Sequence, residues 1–230
     1  MKKIIFVVTF FLLLGCKNNI NKNMNVNINI KNFKKGHVYL QKITDSAIVN
    51  IDSIFVKNEK PIIFEYDIDS PELFYVNLDI SKLDNRIEFF GEKGNITIDT
   101  SLEKFNSDFK INGSYNDSIY REYLKIIKQF NNKKLDLIEL SFNLSKANQV
   151  DSLVKVQKNL ETLNKSQYLY NLNYVVSNGD RFISPLIAIN EFSQASKVIK
   201  DTIRKSMSKE VQESKYGKIF EKLVEKTRVN

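Results

Sequence analysis

The single cysteine of this 230-residue chain is the residue best placed to do chemistry, because of what precedes it. The sequence begins MKKIIFVVTFFLLLGCKNN, so Cys16 follows an apolar run and a glycine. Lys2 and Lys3 give a positive start, and residues 4–14 carry no charge. This pattern is typical of a secretory signal, and the run is too short to cross a bilayer as a helix of the mature protein.

The end of this segment, Leu13-Leu14-Gly15-Cys16, resembles the lipobox of bacterial lipoproteins. In that class the cysteine thiol is acylated and the signal is cut directly before it. The resemblance implies a signal peptide over residues 1–15, lipidation at Cys16, and a flexible polar tether over residues 16–23 that holds the protein to a lipid bilayer. Lys17-Asn18-Asn19 lacks an Asp at the second mature position and an acidic cluster, which favours the outer membrane, facing the periplasm. The alternative is an ordinary cysteine in a signal helix.

Few other residues could carry chemistry. No cysteine follows Cys16, so the mature chain has no internal disulfide and no C-x-x-C redox motif. His37 is the only histidine, and its place in a strand favours a structural role over a triad or a metal site. Asp67 and Asp69 share a face of an extended segment and could contact Ca²⁺, but they lack a full loop of oxygen ligands. We therefore assign no catalytic, cofactor-binding or metal-binding residue, and we expect no enzyme activity and no cofactor.

Aspartate followed by serine or threonine, and then by an aliphatic residue or alanine, recurs along the chain. The pattern resembles the O-glycosylation sequon of Bacteroidota. The candidate acceptors are Ser46, Ser53, Ser118, Ser152 and Thr202. Asp-Ser steps are also common at strand turns and helix caps, which explains several of them without a glycan. From the sequence both interpretations stay open.

The charge balance is basic. The formal net charge is +8, and without Lys2 and Lys3 the chain has 33 basic and 27 acidic residues. Such a balance can indicate nucleic acid or an anionic surface as a partner. An exported lipoprotein rarely meets nucleic acid, and the abundance of Lys, Asn and Ile also follows from A/T-rich codons. We expect no nucleic-acid partner.

Residues 24–114 have the pattern of a β-rich domain. Met24, Val26, Ile28 and Ile30 alternate with asparagines, as in a strand with one buried face. Further short strands are predicted over residues 37–43, 48–56, 61–66, 72–79, 86–90, 95–99 and 108–112. The Gly91-Glu92-Lys93-Gly94 turn suits a tight hairpin. The series predicts an antiparallel β-sandwich or barrel.

From Gly113 onward the apolar spacing changes from two to about 3.6, so residues 115–230 are predicted to be all helical. The fold class is therefore α+β. Helices are expected to start at a cap on Asn116 or Asp117, to cover 150–176 with a stop at Asn178-Gly179, to restart with Ser184 as cap before Pro185, and to cover 215–226.

Several short stretches together suggest a family. They are Gly36-His37-Val38-Tyr39-Leu40, Asp52-Ser53, Pro71-Glu72-Leu73-Phe74-Tyr75-Val76, the hairpin region 89–98, Ile111-Asn112-Gly113-Ser114, Ser184-Pro185 and Tyr216-Gly217. In this order they resemble Bacteroidota lipoproteins that carry an N-terminal β-rich domain of unknown function, of the domain-of-unknown-function 4369 type, followed by a helical segment. The likeness covers residues 25–228.

In that family a thioredoxin-like thiol:disulfide oxidoreductase domain usually follows, and here it would begin just after Arg228. The sequence ends at Asn230, so the resemblance implies the architecture without the activity. We expect a membrane-anchored periplasmic lipoprotein that acts as a non-enzymatic binding or scaffold module, with an unidentified periplasmic protein partner. The alternative is an accessory or split component of a thioredoxin-like oxidoreductase system.

Overall fold

The structure, a computed structural model, describes residues 22–44, 47–58, 60–79 and 86–229. Within these residues eight strands come first: β1 (Met24–Lys31), β2 (Gly36–Thr44), β3 (Ala47–Val56), β4 (Ile62–Tyr66), β5 (Glu72–Leu78), β6 (Arg86–Gly91), β7 (Gly94–Ser101) and β8 (Phe109–Asn112). Helices follow: α1 (Tyr115–Lys146), α2 (Val150–Ser177), α3 (Ile183–Phe192), α4 (Lys197–Ser206), α5 (Lys209–Glu213) and α6 (Lys215–Val229). The predicted α+β fold class is confirmed.

The strands form two sheets that pack face to face. One sheet has the order β4-β1-β7-β8 and the other the order β3-β2-β5-β6. The neighbouring strands are antiparallel, as predicted, except for β1 and β7, which run parallel with Met24 beside Gly94 and Lys31 beside Ser101. A parallel pair requires a long crossover connection, and here strands β2 to β6 supply it.

The prediction of a hairpin at Gly91–Gly94 is wrong. Strand β6 pairs with β5 in one sheet, whereas β7 pairs with β1 and β8 in the other, so this turn carries the chain between the sheets. Gly91 is required by close packing, because a Cβ there would lie 2.5 Å from the Phe74 ring and 2.8 Å from Met24 Sδ. Gly94 has a φ of 118°, a conformation that other residues rarely adopt.

The sandwich core takes alternate residues from both sheets. Met24, Val26 and Ile28 of β1 are fully buried, which confirms the alternation predicted there. Val38 and Phe74 reach the same cluster from the facing sheet. This interdigitation of two inner faces is the usual core of a sandwich.

A second apolar cluster joins the helices to the outer face of the β3-β2-β5-β6 sheet. Because side chains alternate along a strand, Phe89 points into the sandwich while Phe90 points out towards the helices. Leu73 and Phe90 are buried there with Tyr216 and Phe220. The two halves of the chain therefore share one hydrophobic unit.

The first helix begins with a different cap from the one predicted. Ser114, not Asn116 or Asp117, is the N-cap, and its Oγ accepts a hydrogen bond from the Asp117 N–H at 3.0 Å. The prediction fails because the Asp117 carboxylate is used elsewhere, on the backbone of Phe90.

The later helices agree in part with the prediction. Helix α2 ends at Ser177 with Asn178 as C-cap, as expected. Helix α3 begins at Ile183, so Ser184 lies inside its first turn and is not the cap; its Oγ donates to the Asn178 carbonyl at 2.5 Å. Helices α4 and α5 have no counterpart among the predicted segments. None of the described helices combines the length and apolarity needed to cross a membrane.

Candidate interaction surface

Those candidate glycosylation sites that the structure describes lie on separate strands and helices. Cys16 and Ser46 fall outside the described residues. Ser53 is exposed on β3, and Ser152 is half-buried at the start of α2. The structure does not bring these candidate glycosylation sites together.

The two remaining glycosylation candidates are exposed hydroxyls on helices. Ser118 Oγ donates to the Tyr115 carbonyl at 2.7 Å, and Thr202 Oγ1 donates to the Val198 carbonyl at 2.8 Å. Hydroxyls in helices commonly bond to the preceding turn in this way. The contacts give both side chains a local structural role.

The residues considered for metal or acid–base chemistry are used in packing and pairing. The His37 ring lies 4.8 Å from the Phe55 ring and 5.8 Å from the Tyr39 ring. Asp67 pairs with Lys22 at 2.7 Å, and this hydrogen bond lowers the pKa of the Asp67 carboxyl. Within the described ranges no group of three or more His, Cys, Asp or Glu side chains could hold a metal ion.

Hydrogen bonds join the start of α1 to the end of β6. Asp117 Oδ1 accepts from the Phe90 N–H at 3.0 Å, and Ser114 Oγ donates to the Phe90 carbonyl at 2.7 Å. The Glu92 carboxylate accepts from the first two N–H groups of α1 at 2.7 and 3.1 Å. A carboxylate at this end also suits the helix dipole. Both backbone groups of Phe90, at the free edge of β6, are thus satisfied by side chains at the start of α1.

The start of α6 is fastened to β5 in a similar way. The Tyr216 hydroxyl accepts from the Leu73 N–H at 3.0 Å. The adjacent Gly217 is buried, and a Cβ there would lie 2.1 Å from the carbonyl oxygen of Val211. The Tyr-Gly pair therefore docks α6 on the sheet and lets α5 and α6 approach closely.

A groove of about 690 Å³ lies between the β4–β5 connection and helices α5 and α6. Glu72, only 6% exposed, binds Lys42 Nζ at 3.2 Å and also Lys215 Nζ. Burial alone would lower the pKa of Lys42, but contacts with Tyr66 and Glu72 outweigh it and the pKa is raised. The charges along this groove hold the two halves together, so we assign the groove to the junction.

Helices α1 and α2 form an antiparallel hairpin that extends beyond the body of the protein. The buried residues of α1 lie within its first nine positions, the last of them being Tyr123. Helix α2 has three buried residues, and two of them, Asn171 and Val175, lie near its C-terminal end. At 1.5 Å per residue α1 is roughly 48 Å long. We call the distal part of this hairpin, residues 131–166, the arm.

The hairpin packs along a seam with heptad spacing. Side chains that are less exposed than their neighbours recur every three or four residues: Phe130, Lys134, Leu137, Ser141 and Leu144 on α1, and Leu153, Val156, Leu160, Leu163, Gln167 and Tyr170 on α2. The Phe130 and Tyr170 rings lie 5.7 Å apart. This spacing is that of a coiled coil.

A second set of large apolar side chains on the arm is 49% to 67% exposed. These residues are Leu135, Ile138 and Phe142 on α1, and Val150 and Val154 on α2. Each lies about a third of a turn from the seam in the same rotational sense. Because the helices are antiparallel, both sets fall on the same side of the hairpin. We call this side the open face.

Nearer the body, the same side of the hairpin is covered by α3. The Tyr168 ring meets the Phe192 ring edge-on at 5.1 Å. Asn171 Nδ2 donates to Glu191 at 2.9 Å, while its Oδ1 accepts from the Tyr123 hydroxyl at 3.1 Å. Helix α3 therefore covers this side of the hairpin near the body. The open face is the part of the same side that α3 leaves uncovered.

Residues 24–120 match the family model described as Domain of unknown function (DUF4369). The β-rich part of the chain is a DUF4369 domain. No curated protein and no solved structure matches the chain. The DUF4369 match runs from β1 into the second turn of α1, so it includes Ser114 and Asp117 at the junction. The open face lies beyond its end.

Proposed function

We propose that this chain is a membrane-anchored periplasmic lipoprotein that acts as a non-enzymatic binding or scaffold module. The DUF4369 domain and the helices packed on it are the body, and the arm is the docking surface. The observation that carries the proposal is the open face, where Leu135, Ile138, Phe142, Val150 and Val154 are all about half exposed or more. Contiguous exposed apolar patches on soluble proteins mark interaction sites.

The anchor is inferred from the sequence around Cys16 alone. The Asn23 carbonyl accepts from the Gly94 N–H at 2.9 Å, and a Cβ on Gly113 would lie 2.0 Å from the Asn95 carbonyl oxygen. The chain thus enters the sandwich where α1 leaves it. A tether from Cys16 to residue 22 reaches at most about 20 Å, so an anchored body would lie close to the bilayer.

A second candidate is an accessory or split component of a thioredoxin-like thiol:disulfide oxidoreductase system. The likeness of Ser184-Pro185 and Tyr216-Gly217 to the helical segment of such lipoproteins favours it. In that role the helices would dock a separate redox protein, and the activity would reside in that protein. A neighbouring reading frame that encodes a thioredoxin-like domain would favour this candidate, and its absence would favour the module.

Fractionation of the host tests the anchor. The wild-type protein is expected in the membrane fraction, whereas Cys16→Ser should be released or should keep its signal segment. An unchanged fraction and an unchanged mature mass would show that the anchor is wrong.

A pull-down from native membranes tests the module. Phe142→Asp on the open face should lose protein partners that the wild type and Leu140→Asp retain, since Leu140 is 45% exposed on the opposite side of the same helix. Recovery of the same proteins with both variants would show that the open face is not the docking surface.

A further inference from the structure

We infer that the open face binds an amphipathic helix of another protein, one whose apolar stripe is flanked by acidic residues. The inference rests on the proposed function and names the class of partner. Its first support is continuity with α3. The base of this side of the hairpin already receives a helix, through Tyr168 against Phe192 and Asn171 against Glu191. The open face continues the same surface towards the tip of the arm.

The shape of the site favours an elongated occupant over a membrane. Helix α3 stands on the base of this side, so the open face and the flank of the body form a corner. A flat bilayer cannot reach the whole open face past α3. A helix about 10 Å wide can lie in the corner, as helices pack against one another at interaxial distances of about 8–10 Å.

The middle of the open face is apolar and nearly free of charge. The side chains that lie among the five apolar residues are Asn131, Ser145, Gln157 and Asn164, with Glu161 as the charged exception. Lys146 Nζ sits 4.2 Å from the centroid of the Phe142 ring at one border. An apolar centre with charges at the rim is the usual composition of a protein interface. With only five apolar side chains at its centre, the contact belongs to the weak, transient class.

The net positive charge of the arm favours a partner helix whose apolar stripe is flanked by acidic residues. Residues 131–166 contain six lysines and four carboxylates, a surplus of two positive charges. Among the residues at the borders of the open face are Lys128, Lys146, Lys158 and Lys165, together with Glu139 and Asp151. A second copy of this chain would bring the same surplus of positive charge to the contact. Acidic flanks complement it and speed association, so a helix of another protein fits better than a second arm.

The test uses a synthetic probe and the whole chain carrying Cys16→Ser, which keeps every described residue. The probe is a 21-residue peptide with leucines at heptad spacing, glutamates on both flanks and one tryptophan in the stripe. The chain contains no tryptophan, so the emission of the peptide reports its burial without background. A matched peptide carries lysine in place of every glutamate.

We expect saturable, micromolar binding of the acidic peptide with a blue shift of its tryptophan, and at least tenfold weaker binding of the lysine peptide. Phe142→Asp should weaken binding at least tenfold, whereas Leu140→Asp, with the same charge change on the opposite side, should change it less than twofold. Both positions are exposed, so circular dichroism should show unchanged folding.

The inference is overturned if the acidic peptide does not bind or if both variants weaken its binding equally. It also fails if the lysine peptide binds as tightly as the acidic peptide. It is also overturned if light scattering shows a dimer that Phe142→Asp dissociates, or if the protein binds phosphatidylcholine–phosphatidylglycerol vesicles through Phe142. Because Cys16→Ser removes the thiol that would be acylated, these results are independent of lipidation at Cys16. Failure of the peptide with partners still lost in the Phe142→Asp pull-down would leave the binding module in place and refute only the class of partner.

Discussion

The hydroxyl of Tyr216 accepts a hydrogen bond from the backbone N–H of Leu73 at 3.0 Å, and it thereby joins α6 to β5 across 143 positions of the chain. The Tyr216 ring also lies 6.3 Å from the Phe90 ring, on the outer face of the sheet. A buried phenol is favoured where its ring packs on apolar atoms and its hydroxyl has a partner. The helical half is therefore bound to the DUF4369 domain by a specific contact as well as by apolar burial.

Tyr216→Phe should destabilise the protein by about 1–2 kcal/mol, because it leaves the Leu73 N–H without this acceptor in a buried place. Urea unfolding followed by circular dichroism measures the change. Tyr168→Phe is the matched control, since Tyr168 is 40% exposed, and it should cost less than about 0.5 kcal/mol. Equal stability of the two variants would contradict the role given to Tyr216.

Stability should fall at alkaline pH. Burial raises the pKa of Tyr120, Tyr123 and Tyr216 above the ordinary 10.0, and it raises the pKa of Tyr174 to about 12. A phenol with a raised pKa in the folded state gives its full contribution below pH 10 and loses it as the pH rises towards the folded-state value. Tyr120, Tyr123 and Tyr216 are the three of these phenols that are buried, and each contributes a slope of up to about 1.4 kcal/mol per pH unit.

Urea midpoints at pH 8 and at pH 11 measure this loss, and ultraviolet titration of the tyrosinates follows the ionisation. Tyr216→Phe removes one of the three phenols, so its slope should be shallower than that of the wild type. A midpoint that does not change between the two pH values would contradict the prediction.

The strands could be predicted from sequence because their signal is local. In β1 every second residue from Met24 to Ile30 is buried, and alternation alone shows this. The pairing of β1 with β7 could not be predicted, since it joins residues 70 positions apart. The prediction of a hairpin at Gly91–Gly94 failed for a related reason. Two glycines in a short turn suit a hairpin and a connection between two sheets equally well.

The caps and the open face show two further limits. Asp117 has the chemistry of a cap, but its carboxylate bonds to Phe90, a contact that only the folded junction creates. The open face has a sequence signal, because Leu135, Ile138 and Phe142 recur at spacings of three and four. The same helix carries another such stripe, and periodicity does not tell which of the two is covered by tertiary packing.

The fragment from residue 115 onward should be less ordered alone than within the whole chain. Without the sheet, the buried aromatic residues of α1 and α6 lose their packing on Leu73 and Phe90. The fragment also lacks Ser114, the N-cap of α1. Amphipathic helices without a packing partner are marginal in water. Circular dichroism should show reduced helicity and a broad thermal transition, while the whole chain with Cys16→Ser melts cooperatively. Undiminished helicity with a cooperative transition in the fragment would count against the shared core.

We expect glycosylation at Ser53. This residue lies exposed on β3, a strand at the edge of its sheet, whereas Ser118 and Thr202 donate to helix carbonyls. Protein purified from its own host should be heavier than the lipidated polypeptide, and Ser53→Ala should lose the mass of one glycan. Ser152→Ala, at a half-buried position, is the control and should keep it. A wild-type mass equal to that of the lipidated polypeptide would refute the modification.

The mature protein should show no thiol–disulfide turnover. Exchange requires a thiolate that attacks a disulfide sulfur and forms a mixed disulfide. Cys16 is the only cysteine of the sequence, and its sulfur would be held as a thioether to lipid. The measurement is the reduction of insulin by dithiothreitol, with the purified protein compared against buffer and against Cys16→Ser. All three rates should agree. An acceleration by the wild type that Cys16→Ser abolishes would reveal a free, reactive thiol and overturn both the lipidation and the non-enzymatic role. If Cys16→Ser preserves the acceleration in a preparation free of contaminating oxidoreductases, catalysis must come from a group other than a thiol.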